Sequence, residues 1–368
     1  MQKKIIALAI VSAMTVPALA YAEANISGQA NMSIDVINNG TTADSQSVNQ
    51  LNSNQSRLVI KGSDDLGDGL SAMYQLDTRF TMDNGAAGST FWGGNNFVGL
   101  KSNSIGSVMA GRIDAPYKTA FRKLDLFYDV AGDNRVGVGA IGGLFETDVR
   151  LNNALAYVSP SWSGVQLSVA TVFGGEGFVT QTAKQTGNDK KGSAYSLAAT
   201  YSMDAIYAAF GYQTAKIGDA GTGDLGASAT TGAKDDQSDT WKLGGGWTMD
   251  AFTLNAEVEG TTYKSVGFTD NTGMNFYLGA KFAISGADSV RFAYTSHGET
   301  EGGGVVKAKN NDGATQYAIG YDHSMSKATS VYVSYVKTSA NDGYNAGTTA
   351  YTAGADPSAI SLGVKHAF

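Results

Sequence analysis

Sixteen stretches of this 368-residue chain place apolar side chains at nearly every second position, and a chain so patterned has few ways to fold. In 70–80, Leu70, Ala72, Tyr74, Leu76 and Phe80 are apolar, whereas Ser71, Gln75, Asp77 and Arg79 are polar, with Met73 and Thr78 departing mildly. Successive side chains of a strand point to opposite faces, so each stretch reads as a strand with one oily and one polar side. The pattern recurs at 26–36, 57–61, 90–101, 107–112, 151–159, 165–173, 194–203, 206–216, 240–248, 252–263, 274–284, 289–297, 315–323, 330–338 and 359–368. The last of these ends on an aromatic ring: Ile360, Leu362, Val364 and Phe368 share one side, Ser361, Gly363, Lys365 and Ala367 the other, and His366 is a misfit on the apolar side.

Two kinds of connector alternate. Short ones such as 65–69, 102–106, 160–164, 202–204, 248–250, 285–288 and 324–327 are rich in Gly, Asp, Asn and Ser, the residues of tight turns. Long ones such as 181–192, 217–237, 300–312 and 340–356 are polar and glycine-rich. One end of the structure is therefore trimmed close and the other is looped.

Period-two alternation also suits a soluble sandwich, whose polar face normally carries many charges. Here charged residues make up only 16% of the chain, and the faces opposite the oily ones are mostly small or uncharged. Many stretches are near the ~9–11 residues that cross a bilayer at a tilt. Aromatic rings crowd their ends, at Phe80, Phe91, Trp92, Tyr157, Trp162, Phe173, Tyr201, Trp241, Trp247, Phe252 and Phe368, as at a membrane interface. In hydrocarbon no backbone amide or carbonyl goes unpaired, so spanning strands must close on themselves. The expected fold is all-β, a transmembrane antiparallel β-barrel of 16 strands, with Phe368 facing lipid at the seam beside the strand that starts near Asn25.

The N-terminus sets the compartment. Lys3 and Lys4 precede the apolar run IIALAIVSAMTVPALA and the small-x-small pattern Ala20-Tyr21-Ala22, which reads as an export signal over residues 1–22, leaving 23–368 as one barrel domain. Losing both lysines lowers the basic residues from 26 to 24 against 33 acids, a formal charge of −9. With no basic face evident, nucleic acid is not an expected partner. The chain has no cysteine, and His297, His323 and His366 fall on different strands, so neither a metal site nor any other cofactor is expected. No histidine lies beside a Gly-x-Ser-x-Gly turn, which argues against an enzyme.

Four segments carry a family likeness: SRLVIKGSDDLGDGL at 56–70, Gly111-Arg112, RLNNALAYVSP at 150–160, and the terminal GVKHAF. In this order and spacing the mature chain resembles the general porins of Gram-negative bacteria, of the beta-proteobacterial type. The resemblance implies a homotrimer in the outer membrane, in contact with lipid and lipopolysaccharide, that passes small hydrophilic solutes and ions by passive diffusion. It also implies that the long loop at 113–149 folds into the lumen, and that Phe368 belongs to an assembly signal read by the barrel-assembly machinery.

On that reading the constriction loop supplies the acids Asp114, Asp125, Asp129, Asp133, Glu146 and Asp148, among the bases Lys118, Arg122, Lys123 and Arg135. Bases on the wall should face it. Strand parity puts Arg57, Lys61 and Arg79 on the polar side, and a charge on the lipid side costs ~2–4 kcal/mol at the midplane. Arg112 and Arg150 flank the loop and resemble wall arginines of the family, although strict alternation from Val108 turns Arg112 outward, so its inward placement requires an irregularity at the strand end. The family often has a further base where this chain has Ala154-Leu155-Ala156. That departure, the charge of −9 and six loop acids against four bases predict weak cation preference. The rival functions are a substrate-specific channel and a surface adhesin or structural β-protein.

Overall fold

The computed structural model describes residues 24–40, 47–86, 91–134, 148–173, 193–216, 235–343 and 355–368. The expected export signal and Glu146 lie outside them. The described residues form one 17-stranded antiparallel sheet and a short helix. The strands are β1 (Asn25–Asn38), β2 (Ser47–Ser53), β3 (Arg57–Gly67), β4 (Leu70–Arg79), β5 (Asn96–Ser102), β6 (Gly106–Asp114), β7 (Arg150–Val158), β8 (Val165–Val172) and β9 (Ser193–Met203). They continue with β10 (Ile206–Lys216), β11 (Gln237–Met249), β12 (Phe252–Lys264), β13 (Asn271–Ala283), β14 (Asp288–His297), β15 (Ala314–Ser324), β16 (Thr329–Ala340) and β17 (Ser358–Ala367). The helix, α1 (Pro116–Phe121), follows β6.

Apart from β2 and β3, consecutive strands pair with each other, and β1 also pairs with β17 from Gln29 opposite Ala367 to Asn38 opposite Ser358, so the sheet closes. β1 lies against β2 through 32–38 and against β3 through 25–29. β2 and β3 are thus two halves of one stave, and the barrel has sixteen. The break between them is held by hydrogen bonds from the Asn54 amide to the Asn31 carbonyl (2.8 Å) and from Asn54 Nδ2 to Ser33 Oγ (2.8 Å) and Tyr332 Oη (3.0 Å). Alternation in the sequence marks only the second half of this stave. Ser47–Ser53 is polar at most positions on both faces, so it carries no such pattern.

The two faces differ as expected. In β17, Ile360, Leu362 and Val364 are 51%, 59% and 45% exposed, while the intervening Ser361 is fully buried. In β13, Phe276 and Leu278 point out and Tyr277, between them, is buried. Closure gives each of the sixteen staves two paired neighbours, which is what lets the outer face meet hydrocarbon. No helix among the described residues is long and apolar enough to cross a membrane; the strands do that.

The close-trimmed end is made by turns in which Asp204 and Asp250 take φ of 47° and 51°. Aspartate tolerates that left-handed conformation because its short side chain can bond the nearby backbone.

Candidate functional site

The segment after β6 begins with a change of face. Val108 and Ala110 point outward, and pairing with β7 then slips between Gly111 and Ile113, with Gly111 at φ 145° and Asn153 at φ 50°. A bulge of this kind re-aims the side chains beyond it. Arg112 consequently lies on the same side as Arg150. Its Nη1 donates to Asn152 Oδ1, and both arginines donate to the Gly93 carbonyl, Arg112 Nε at 3.4 Å and Arg150 Nη1 at 3.1 Å.

Asp114, the last residue of β6, gathers three cations. Lys118 Nζ is 3.1 Å from one oxygen, Arg122 Nη2 2.7 Å from the other, and Arg150 Nε approaches to 2.9 Å as an ion pair rather than a directed hydrogen bond. Asn95 Nδ2 adds a hydrogen bond at 2.9 Å. Pro116 then starts α1, where its missing N–H costs nothing. One turn of helix brings Lys118 back onto Asp114. Burial pulls the Lys118 ammonium below its ordinary range, and Asp114 opposes that pull.

From α1 the chain runs along inner-face residues of successive strands. The Tyr117 amide donates to Ser196 Oγ of β9 (3.0 Å), and Tyr117 Oη to Glu259 of β12 (2.6 Å). Tyr207 Oη of β10 donates to the Ala120 carbonyl (2.5 Å), and Asn255 of β12 to that of Leu124 (2.7 Å). The Leu126 amide donates to Tyr277 Oη of β13 (2.9 Å), and Arg291 of β14 donates to the Leu126 carbonyl (2.6 Å). Finally Asp129 meets Arg57 of β3 at 3.3 Å and Gln29 of β1 at 3.1 Å, while Asn31 donates to its carbonyl at 2.8 Å. Phe121, Leu124 and Phe127 are buried between these contacts.

Lys242 of β11 is the second charge hub. Fully buried, it lies 3.0 Å from Asp148 and 3.1 Å from Glu259, with the rings of Tyr117 and Phe121 at 4.8 and 5.2 Å. Buried ions persist only when closely paired, and aromatic faces add attraction for a desolvated ammonium. Arg291 is served alike, by Asp322 at 3.0 Å and the Phe127 ring at 4.5 Å.

The sequence matches the Gram-negative porin family over residues 7–344. The chain belongs to that family. It is 24% identical over the full length of both chains to outer membrane porin protein 32 of Delftia acidovorans. With an outer membrane porin protein of Bordetella pertussis it shares 26% identity across 86% of this chain and 83% of that one. An anion-selective porin from Comamonas acidovorans superposes with a TM-score of 0.72 at 22% identity, over 94% of this chain and all of the other. The protein is thus an outer-membrane channel for passive diffusion, from a family of channels rather than enzymes.

The porin brings most of the sequence-selected charges together, in a different pairing from a row of bases facing a row of acids. Asp114 is neutralised by loop bases and Arg150, Asp129 touches Arg57, and Asp148 touches Lys242. Asp125 accepts from the amides of Phe127 (2.8 Å) and Asn134 (3.2 Å), and Asp133 from that of Asp129 (3.0 Å), so both fold the loop's own backbone. Arg79 is opposite Arg57 in the β3–β4 register, and Lys61 is exposed near the trimmed end. Ala154 and Ala156, where a further base was sought, are buried against Tyr117 and leave α1 its seat. Sequence reasoning passed over Lys242, Glu257, Glu259 and Arg291. Parity was the signal for two of them: Lys242 lies between the exposed Trp241 and Leu243, and Arg291 between the exposed Val290 and Phe292.

Proposed function

We propose that 113–149 is a constriction loop lying within the lumen, and that it narrows a diffusion pathway bounded on the other side by the inner faces of β3–β7. The observation that carries this reading is that one short segment touches inner-face residues on strands as far apart as β9, β12, β14 and β3. A segment crossing the inside of a closed sheet is the arrangement that gives such contacts.

Ion preference in this reading follows the charges left without partners along that pathway, not the charge of the whole chain. Each of the five described loop acids is already bonded to a base or to loop amides. Arg79 and Arg112 form no ion pair among the described residues. On the β3–β7 side Arg57, Arg79, Arg112 and Arg150 stand with the acid Asp77, and this local excess of bases supports weak anion preference in place of the weak cation preference expected from composition, because rings of charge select by sign. Planar-bilayer recordings in a KCl gradient test it: a reversal potential of the sign set by chloride supports it, and one set by potassium restores the expectation from composition. Closure in three equal steps would support the homotrimer that the porin resemblance implies. Contacts with lipopolysaccharide, and reading of the terminal strand by the assembly machinery, belong to the same proposal. Solute flux that saturates with one compound and excludes others of its size would favour a substrate-specific channel instead.

A further inference from the structure

Below α1, toward the trimmed end, the inner faces of β5–β10 enclose a cavity of about 480 Å³. Pockets of a few hundred Å³ with apolar walls and a few placed polar groups are the usual form of small-molecule sites. This one has such walls. Phe97, Met109 and Val158 present apolar side chains on one wall, and the lining also holds the hydroxyls of Ser168 and Thr200.

One cation overlooks the cavity. Lys123 Nζ sits 3.3 Å from the centre of the Tyr207 ring and forms no ion pair among the described residues. The ring is itself fixed, since Tyr207 Oη donates to the Ala120 carbonyl at 2.5 Å. The ammonium is therefore held on one side by an aromatic face and exposed on the other. The acid that also lines the cavity, Asp114, is surrounded by Lys118, Arg122 and Arg150 and carries little unbalanced charge toward a guest.

We propose that this cavity is a binding site for a small organic carboxylate with an apolar body, the carboxylate on Lys123 and the body on Phe97, Met109 and Val158. The polar inner wall accounts for passage of hydrated ions but not for an apolar strip beside an unpaired ammonium. A guest with both characters satisfies both at once. The inference rests on the diffusion-channel reading, and the experiment separates the two.

The test uses purified full-length protein in planar bilayers, with benzoate as probe and the neutral benzamide as control. Added on the side of the short turns, benzoate is expected to reduce single-channel KCl current in a saturable way, and benzamide to have a much smaller effect. Lys123→Gln should weaken the apparent benzoate affinity at least tenfold. Phe97→Ser, a wall change away from the loop, should weaken it several-fold. The proposal is overturned if benzoate and benzamide act alike, or if Lys123→Gln and Phe97→Ser both leave the benzoate effect unchanged. Absence of KCl conductance in the parent protein would instead overturn the channel reading itself.

Discussion

Gly28 and Phe368 close the barrel: the Gly28 amide donates to the Phe368 carbonyl at 2.8 Å, and the Phe368 amide returns the bond to Gly28 at 3.1 Å. A Cβ on Gly28 would collide with the Arg57 carbonyl and lie 2.7 Å from the Phe368 ring, so the ring covers a place where only glycine fits. Gly28→Val is expected to open the seam and reduce the heat-modifiable, folded fraction severalfold. Phe368→Leu, which keeps the backbone bonds and an apolar end, should lose much less. Gel mobility before and after heating measures both.

Lys242 should be the most costly single charge to remove. Lys242→Met leaves Asp148 and Glu259 buried without their cation, a loss on the order of 3–5 kcal/mol. Adding Glu259→Gln to that variant removes one stranded carboxylate and should recover part of the loss. Urea unfolding of the refolded barrel in lipid vesicles, compared across parent, single and double variants, gives the coupling. A double variant no more stable than the single would show that the pair does not act together.

The barrel was readable because the side-chain period of a strand is the same everywhere, so one chain suffices to find it. Alternation grouped Ile360, Leu362 and Val364 on one face, the scarcity of charge on the opposite faces and the aromatic strand ends assigned that face to the outside, and they lie there. Ser47–Ser53 was missed because it has no oily face to alternate. In the candidate site β6 runs to Asp114, two residues past the expected strand end at 112, and β7 begins at Arg150. The pairing of the loop's charges was not legible. Parity says which side a residue is on and nothing of who stands across from it, so Asp129 against Arg57 and Asp148 against Lys242, 72 and 94 residues apart, could not be read. Arg112 lay between these cases, since the required irregularity could be named but only the slip at Gly111 supplies it.

Asp129 is proposed to tether the far end of the loop to β1 and β3. Asp129→Ala removes its contacts with Arg57 and Gln29 and leaves Arg57 without an acid partner. Losing a partly buried charged hydrogen bond costs about 1–3 kcal/mol locally. The expected outcome is a folded barrel with noisier open-channel current and more frequent brief closures. Unchanged current noise would remove Asp129 from the tether.

Arg79 and Arg112 are expected to set the sign of ion preference. Arg79→Gln and Arg112→Gln should each shift the reversal potential in a KCl gradient toward potassium, and the double variant should shift it further than either. Arg291→Gln makes the contrast, because its charge is already matched by Asp322 at 3.0 Å. It should disturb the loop at Leu126 more than the ion ratio.

Gly244 tests whether the loop seat is shaped by the wall. A Cβ there would lie 2.8 Å from Leu124 Cδ1 and 3.0 Å from the Phe121 ring, so any larger residue pushes the segment after α1 off β11. Overpacking of this kind costs about 1–3 kcal/mol, and the loop can relieve it by moving whereas the closed sheet cannot. Gly244→Val should therefore keep heat-modifiable migration and alter single-channel conductance. Gly245 faces the other side of the strand, with the Tyr207 carbonyl at 3.2 Å as the sole neighbour of an added Cβ. Gly245→Val should leave conductance near the parent value. Equal conductance changes in the two variants would mean that valine acts by bending the wall, and the glycine at 244 would then have no role in seating the loop.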